Sequence, residues 1–179
     1  LMNVWYYPSE ELDSVRKDAL EVLAEYPDCS EPIQYLMLCL TYPVFKDVCK
    51  IMGKLFEFQD EITNPALKQK LYDAWGERGT LETTTRRITL TLKEMDILRN
   101  ETKTRYVLHK IPIINDKVLD FVIAQGMKLD CSSYYSYTEL DHLSILFPFE
   151  YSVKKELLIQ SKKYTMSGFV GEVAFSLKQ

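Results

Sequence analysis

Basic and threonine side chains are concentrated between residues 83 and 105, in a pattern that suits the binding of anions. The candidate binding residues are Thr83, Thr84, Arg86, Arg87, Lys93, Arg99, Lys103 and Arg105. A guanidinium group can donate two parallel hydrogen bonds to a phosphate or to a guanine edge, and a threonine hydroxyl can bond to either. These types of residue therefore indicate chemistry directed at phosphates and base edges.

The charge of the chain is unevenly distributed. The whole chain has a net charge of −4 and residues 1–62 have −7, with 5 basic and 12 acidic groups, whereas residues 78–110 have +4, with 8 basic and 4 acidic groups. Because salt screens charges beyond about 8–10 Å, a local basic surface attracts phosphate even on an acidic protein. The alternative is an ordinary solvated helix of mixed charge.

A short helix is predicted ahead of this basic segment. Thr63-Asn64-Pro65 supplies a capping side chain and a proline suited to the first turn of a helix over residues 66–75. Leu67, Leu71 and Trp75 recur every four residues and so share one face.

A second helix and a short strand are predicted next. Gly76-Glu77-Arg78-Gly79 breaks the first helix, and Thr80 is predicted to cap a helix over residues 81–96. A turn at residues 100–103 then leads into a strand over residues 105–108. A second helix held across a first by a glycine-containing turn can be presented to the major groove of DNA.

Helical spacing divides the second helix into two faces. The side chains predicted to face the core are Leu81, Thr85, Ile88, Leu92 and Met95. The side chains predicted on the opposite face are Thr83, Arg86, Arg87, Leu90 and Lys93. The threonines and arginines lie early in the helix, where recognition helices usually contact bases. Leu90 and Glu94 argue against this interpretation because they would face or neighbour the nucleic acid.

The central segment resembles the winged helix-turn-helix superfamily. The likeness is carried by Ile62-Thr63-Asn64-Pro65, Leu67-x-x-x-Leu71, Trp75-Gly76-x-x-Gly79, the helix from Glu82 to Ile88, and the closing Leu92-Lys93-Glu94-Met95-Asp96-Ile97-Leu98. It covers about 65 residues if the preceding helix is counted, and it departs from the superfamily in a short wing without a clear glycine turn. The flanking pieces, including Phe147-Pro148-Phe149, resemble segments of bacterial proteins.

The resemblance implies binding of double-stranded DNA, in a regulatory role or within a DNA-handling assembly. Thr83, Thr84, Arg86, Arg87 and Lys93 would contact DNA from the second helix, while Arg99, Lys103 and Arg105 on the hairpin would contact backbone phosphate. Winged helices also serve as protein-interaction modules, so an adaptor that contacts only protein stays open as the alternative. A homodimer or another protein partner is a further option, since such proteins commonly dimerise to match half-sites.

The sequence does not favour an enzyme or a metal site. The best catalytic candidates, Cys131, His142 and Asp141 or Glu139, show no pattern beyond a histidine beside acids on a helix, and no glycine-rich phosphate loop is present. The four cysteines form no CxxC pair, which argues against zinc. We therefore expect no catalytic residues, no metal and no cofactor. The tyrosines of Tyr134-Tyr135-Ser136-Tyr137 could stack on bases, but the core is the more expected place for them.

The expected fold is mainly α with a small β component, built around a winged helix-turn-helix core. Residues 1–31 would form an acidic N-terminal helix, residues 32–110 the winged-helix unit, and residues 111–179 a helical region that ends in a strand over residues 168–177, all in one compact body. A helix over residues 115–124 would be closed by Gln125-Gly126. No apolar run is long enough to span a membrane and the given residues hold no signal peptide, which favours the cytoplasm, although the start at Leu1 leaves an upstream segment open.

Overall fold

The computed structural model describes residues 2–7, 9–169 and 172–178. The described residues are mainly helical, with short strands in small sheets. The α-helices are α1 (Met2–Trp5), α2 (Glu10–Glu25), α3 (Ser30–Thr41), α4 (Pro43–Phe56), α5 (Asn64–Trp75), α6 (Gly79–Glu94), α7 (Asp116–Asp130), α8 (Tyr137–Leu140) and α9 (Lys155–Gln160). The fold class predicted from the sequence, mainly α with a small β component, is confirmed.

The strands belong to three separate sheets. They are β1 (Glu61–Thr63), β2 (Leu98–Thr102), β3 (Arg105–Leu108), β4 (Ile111–Pro112), β5 (Tyr135–Ser136), β6 (Phe149–Glu150), β7 (Tyr164–Phe169) and β8 (Glu172–Leu177). Two of the sheets are three-stranded, with orders β1-β3-β2 and β5-β8-β7, and β4 pairs with β6 in parallel.

The middle of the chain is a helical unit closed by a small antiparallel sheet. Its element order is α4, β1, α5, α6, β2, β3, and β3 lies between the other two strands. Strand β1 places Ile62 opposite Tyr106, and β2 places Leu98 opposite Leu108. Ile62 and Leu98 are buried, so the sheet contributes its inner face to the same core as the helices.

Helix α5 begins as the sequence predicts. Thr63 is its N-cap and accepts a hydrogen bond from the backbone N–H of Ala66 at 3.3 Å, and Pro65 lies in the first turn. Gly76 follows the helix with a φ of 74°, which a residue without a Cβ adopts most readily.

Helix α6 is displaced from its predicted bounds. It begins at Gly79 and has Arg78 at its N-cap, so the prediction that Thr80 caps it was wrong. It ends at Glu94, two residues earlier than predicted, because Asp96 turns the chain in a left-handed conformation with a φ of 54°. Aspartate adopts that region more readily than most residues other than glycine.

One continuous cluster of buried apolar side chains runs through the fold, from Val4 near the N-terminus to Phe175 near the C-terminus. Tyr35 of α3 is fully buried and donates its hydroxyl hydrogen to the carbonyl of Ile145, at 2.8 Å. Gly53 of α4 lies directly against the backbone of Ser144. The central unit therefore shares its core with the C-terminal region.

Two further boundary predictions were wrong. The helix predicted over residues 115–124 continues to Asp130, with Gly126 buried inside it rather than closing it. The terminal segment contains two antiparallel strands, β7 and β8, rather than one strand over 168–177. Residues 170 and 171 of that predicted strand lie outside the described residues.

Candidate nucleic-acid interface

Helix α6 is anchored on one face and open on the other. Ile88 is 7% exposed and Leu92 is 0% exposed, whereas Arg86 and Arg87 are both exposed. Thr83 is exposed and Thr84 is half-buried, one turn earlier on the same helix. Four of the predicted site residues thus lie on one anchored helix, Thr83 and Thr84 in its second turn and Arg86 and Arg87 at its midpoint.

Neither arginine of α6 has an acidic partner within 4.0 Å in the part of the chain that the structure describes. An exposed guanidinium without a partner keeps all its N–H donors available to an outside acceptor. Among the cations of the candidate site, Arg86 and Arg87 are therefore readily available to bind an external anion.

The threonines that follow on α6 are turned toward its own backbone. Thr85 donates its hydroxyl hydrogen to the carbonyl of Leu81 at 2.8 Å, Thr89 to that of Arg86 at 2.9 Å, and Thr91 to that of Arg87 at 3.1 Å. Such back-bonding is the usual way in which a mid-helix threonine satisfies its hydroxyl group. Only Thr83 and Thr84 lie early enough on α6 to have been predicted as contacts.

Lys93 occupies a different environment from the two arginines. It is half-buried, and its ammonium nitrogen lies 4.6 Å from the centroid of the Tyr106 ring on β3. A cation over a tyrosine face is attracted by the negative face of the ring. Lys93 is thus held against the sheet at the end of α6.

Arg99 on β2 forms an ion pair with Asp96. Its Nε and Nη2 donate to the two carboxylate oxygens of Asp96, at 2.9 and 2.7 Å. His109 also approaches Asp96, with Nδ1 3.2 Å from the carboxylate and 2.9 Å from the backbone carbonyl. The Arg99 guanidinium holds the pKa of the Asp96 carboxyl below its ordinary value. This cluster fixes the junction between α6 and the hairpin.

The far end of the hairpin mixes charges of both signs. Arg105 lies 3.3 Å from the Glu61 carboxylate, and Lys103 is exposed in the turn between β2 and β3. A hydrogen bond with Glu61, together with repulsion from it, raises the pKa of the Glu101 carboxyl above its ordinary value. Of the three hairpin cations predicted to meet phosphate, Lys103 alone has no ion pair among the described residues, while Arg99 and Arg105 are paired.

The remaining outward residues of α6 are as the spacing predicts. Leu90 is 46% exposed and Glu94 is exposed. Arg78, at the N-cap of α6, is also exposed and adds a cation that the sequence interpretation did not include. Its position just ahead of a predicted helix could have indicated this cation. With Thr80 taken as the cap, Arg78 was instead assigned to the break between the two helices.

Three of the four catalytic candidates are engaged in local structure, and the fourth, His142, is exposed. Asp141 accepts a hydrogen bond from the backbone N–H of Val153 at 2.6 Å, and Glu139 completes a capping box with Ser136. Cys131 lies at the end of α7 with its thiol directed at the carbonyl of Lys128, 3.2 Å away. No group of three or more potential metal ligands occurs among residues 2–7, 9–169 and 172–178.

The tyrosine run is divided between the core and the surface. Tyr135 is 3% exposed and bonds through its hydroxyl to the carbonyl of Met127 at 3.1 Å, whereas Tyr134 is 60% exposed. Burial raises the pKa of the Tyr135 hydroxyl well above its ordinary value. The run therefore does not present a continuous stacking surface.

Within the described part of the chain, no helix combines the length and apolar character needed to cross a bilayer. No protein-family model, curated protein or solved structure matches this chain. A function for α5, α6 and the hairpin therefore has to follow from their own residues.

Proposed function

We propose that the chain binds double-stranded DNA through a winged helix-turn-helix formed by α4, β1, α5, α6, β2 and β3. The element order and the sheet order β1-β3-β2 support this proposal. In this arrangement α4 and β2 pack against α6, and the β2–β3 turn would serve as the wing. The protein's role would be regulatory, or structural within a DNA-handling assembly.

The observation that carries the proposal is that Arg86 and Arg87 are exposed on an anchored helix and have no acidic partner within 4.0 Å among the residues that the structure describes. A helix with its side chains is about 10–12 Å across, and the major groove of B-DNA is about 12 Å wide, so α6 fits that groove. Thr83 and Thr84 precede the arginines and would reach base edges or phosphates. Duplex DNA is favoured over single strands because the site offers an exposed helix and no continuous aromatic surface.

The hairpin would contact the phosphate backbone mainly through Lys103. Arg99 and Arg105 reach phosphate only by sharing or leaving Asp96 and Glu61, to which they lie within 4.0 Å. An exposed ion pair contributes little to stability, about 0–1 kcal/mol, so a phosphate can compete for such an arginine. Lys93, held over Tyr106, would contact phosphate from the end of α6.

The salt dependence of binding tests the proposal. We expect affinity for a duplex of mixed sequence to fall with salt by about 0.9 log units per log unit for each phosphate neutralised. If all six candidate cations bind phosphate, the loss between about 50 and 200 mM salt is about 10³-fold; if Arg99 and Arg105 stay paired, it is about 10²-fold. Fluorescence anisotropy of a labelled duplex measures the loss of affinity and distinguishes the two alternatives. Affinity that does not change with salt would contradict the proposal.

Glu101 is expected to make DNA binding depend on pH. Its raised pKa means that, as the pH falls, this carboxyl takes up a proton before an ordinary glutamate does, and the wing loses a negative charge. A nearby phosphate favours the neutral form further, so affinity should rise from about pH 7 to about pH 5. Glu101→Gln should bind more tightly than the wild type at pH 7.

The pH profile of the same variant is the control for Glu101. Every other titratable side chain is retained in Glu101→Gln, so the difference between the two profiles belongs to Glu101. A variant whose affinity rises as steeply toward low pH as that of the wild type would assign the pH dependence elsewhere.

An adaptor that docks protein rather than DNA is the second candidate, and Leu90 favours it. Leu90 lies one turn beyond Arg86 and is 46% exposed, in a position where a DNA-binding helix would normally present a polar side chain. An apolar side chain flanked by arginine is common at the centre of protein interfaces. Leu90→Lys separates the two functions, because the added cation should strengthen DNA binding and weaken a protein contact.

A further inference from the structure

A cavity of about 220 Å³ lies between α5 and α6. Its lining residues are Asn64, Leu67, Lys68, Leu71, Tyr72, Leu81, Glu82, Thr85, Arg86, Thr89 and Tyr106. Helix α5 supplies one wall, α6 the other, and Tyr106 of β3 closes it on the sheet side. The space therefore lies beside the helix that carries the exposed arginines, and one of them, Arg86, lines it.

The inner part of this cavity is apolar. Leu67 and Leu71 are each 1% exposed and Leu81 is 7% exposed, so they form the buried apolar floor of the cavity. Tyr72 also lines the cavity, with the Lys68 ammonium 5.3 Å from the centroid of its ring. An apolar surface of this kind favours a flat hydrocarbon group.

Polar groups line the side of the cavity near the sheet. Asn64 accepts a hydrogen bond from the Tyr106 hydroxyl, and the hydroxyls of Thr85 and Thr89 are donated to helix carbonyls. Their oxygens and the Asn64 amide nitrogen keep further hydrogen-bonding capacity. A ligand with a small polar substituent can therefore be oriented there.

The outer part of the cavity has an excess of positive charge. Lys68 and Arg86 line it together with a single acid, Glu82, which lies 3.1 Å from the Lys68 ammonium. The hydrogen bond from Lys68 to Glu82 raises the pKa of the lysine, which keeps it charged. Arg86 has no acid within 4.0 Å among the described residues. The unmatched cation of this cavity is thus the Arg86 guanidinium.

We propose that this cavity binds a small aromatic monocarboxylate, its ring against Tyr72 and the leucine floor and its carboxylate on Arg86 and Lys68. The cavity volume of about 220 Å³ admits a single substituted ring. A carboxylate accepts two parallel hydrogen bonds from a guanidinium, the geometry in which arginine is most selective. Lys68 supplies a second charge from α5 once it shares Glu82 with the ligand.

Occupancy of the cavity would release DNA, a consequence that rests on the proposed function. Arg86 belongs both to the outward face of α6 and to the cavity, and it cannot serve a carboxylate and DNA at once. Ligand and DNA should therefore weaken each other by the same factor, as linkage requires. The ligand would act as an inducer of dissociation.

Calorimetric titration of the full chain with benzoate, without DNA, tests the cavity directly. We expect saturable binding of benzoate at one site, and none of acetate, which lacks the ring, or of benzyl alcohol, which lacks the charge. Arg86→Gln and Lys68→Gln should each weaken binding at least about tenfold, because each removes a charge-assisted hydrogen bond. Lys70→Gln is the matched control, since Lys70 is exposed on α5 and does not line the cavity.

A variant that fills the cavity tests the location of the ring. Thr85→Phe should remove binding, with retained helicity and a cooperative thermal transition as evidence of folding. Equal binding of benzyl alcohol and benzoate, unchanged binding by Arg86→Gln, or no benzoate binding by the wild type would each overturn the proposal. Because Arg86→Gln and Lys68→Gln change exposed side chains, the test stands even if Thr85→Phe fails to fold.

The two proposals fail separately. Benzoate binding by a chain that does not retain a duplex would support the cavity and overturn the DNA proposal. Retention of a duplex without benzoate binding would do the reverse. If both bind and benzoate leaves the affinity for DNA unchanged, the coupling through Arg86 is refuted.

Discussion

Replacement of both Arg86 and Arg87 by alanine should remove most of the affinity of the chain for duplex DNA. Each arginine placed on a base edge contributes about 1–3 kcal/mol, so the double substitution should weaken binding by about 30-fold to 10⁴-fold. The two side chains are exposed and have no ion pair within the described part of the chain. The thermal midpoint should therefore hardly change, since such surface substitutions usually alter stability by less than about 0.5 kcal/mol.

The double variant Lys128→Ala/Lys162→Ala is the matched control. It removes the same charge from two exposed lysines, one on α7 and one in the turn before β7, away from α6. Because only net charge changes, its affinity for DNA should fall far less than that of the arginine variant. Unaltered DNA retention by Arg86→Ala/Arg87→Ala, or an equal loss in both double variants, would refute the proposed face.

The salt slope of the arginine variant adds a second readout. If the arginines bind phosphate, the slope should become shallower by about 0.9 for each phosphate that the variant leaves without a cation. If they bind base edges, the slope should stay nearly the same while specificity among duplexes falls. Either result identifies the type of group that α6 binds on the duplex, which the affinity alone does not.

The burial of α6 could be predicted from the sequence because it depends on a short-range period. Leu81, Ile88 and Leu92 repeat at helical spacing, and all three are buried, at 7%, 7% and 0% exposure. A helix has to turn such a stripe toward the core, which turns the intervening arginines outward. This inference needs no knowledge of the rest of the fold.

The electrostatics of the hairpin could not be predicted in the same way, because they depend on contacts between distant residues. Arg105 meets Glu61, which lies 44 positions away and belongs to β1, a strand too short to show a period of its own. Lys93 points toward Tyr106 of β3 rather than straight outward. A long flexible side chain can pair with any of several such partners, and the partner is determined only when the fold brings the two residues close.

The end of α7 shows how tertiary packing can override a local signal. A glycine near the end of an apolar run normally indicates a helix end, yet α7 continues past Gly126 to Asp130. A Cβ at Gly126 would lie 3.0–3.2 Å from side-chain atoms of Leu146 and Leu143, so the glycine permits close packing. The glycine is therefore needed for packing against Leu143 and Leu146, and the sequence of α7 alone does not reveal these contacts.

Gly53→Ala should be the most destabilising substitution of a single methyl group in the central unit. A Cβ at this position of α4 would lie 2.0 Å from the carbonyl oxygen of Ser144 and 3.3 Å from the Cβ of Phe147. The first neighbour is backbone, so the Ser144–Leu146 turn has to move away from α4. We expect a loss of about 3 kcal/mol, which exceeds the gain of about 1 kcal/mol from replacing a helical glycine with alanine.

A loss of this size should lower the thermal midpoint by about 6–12 °C, since 1 kcal/mol corresponds to about 2–4 °C in a chain of this length. Thermal and urea unfolding followed by circular dichroism measure it. The urea midpoint should fall without a change in the slope, because the surface exposed on unfolding is nearly the same.

Gly126→Ala is the matched substitution, since it adds the same methyl group to another buried helical glycine. Its nearest neighbours are the Cδ1 atoms of Leu143 and Leu146, at 3.1 and 3.0 Å, which are ends of flexible side chains and can move by a few tenths of an ångström. The gain in helix propensity should largely offset that adjustment, so the change should stay within about 1 kcal/mol. Equal effects of the two substitutions would mean that the Ser144 turn yields as easily as a leucine side chain. The contact between α4 and that turn would then not be what holds the central unit to the C-terminal region.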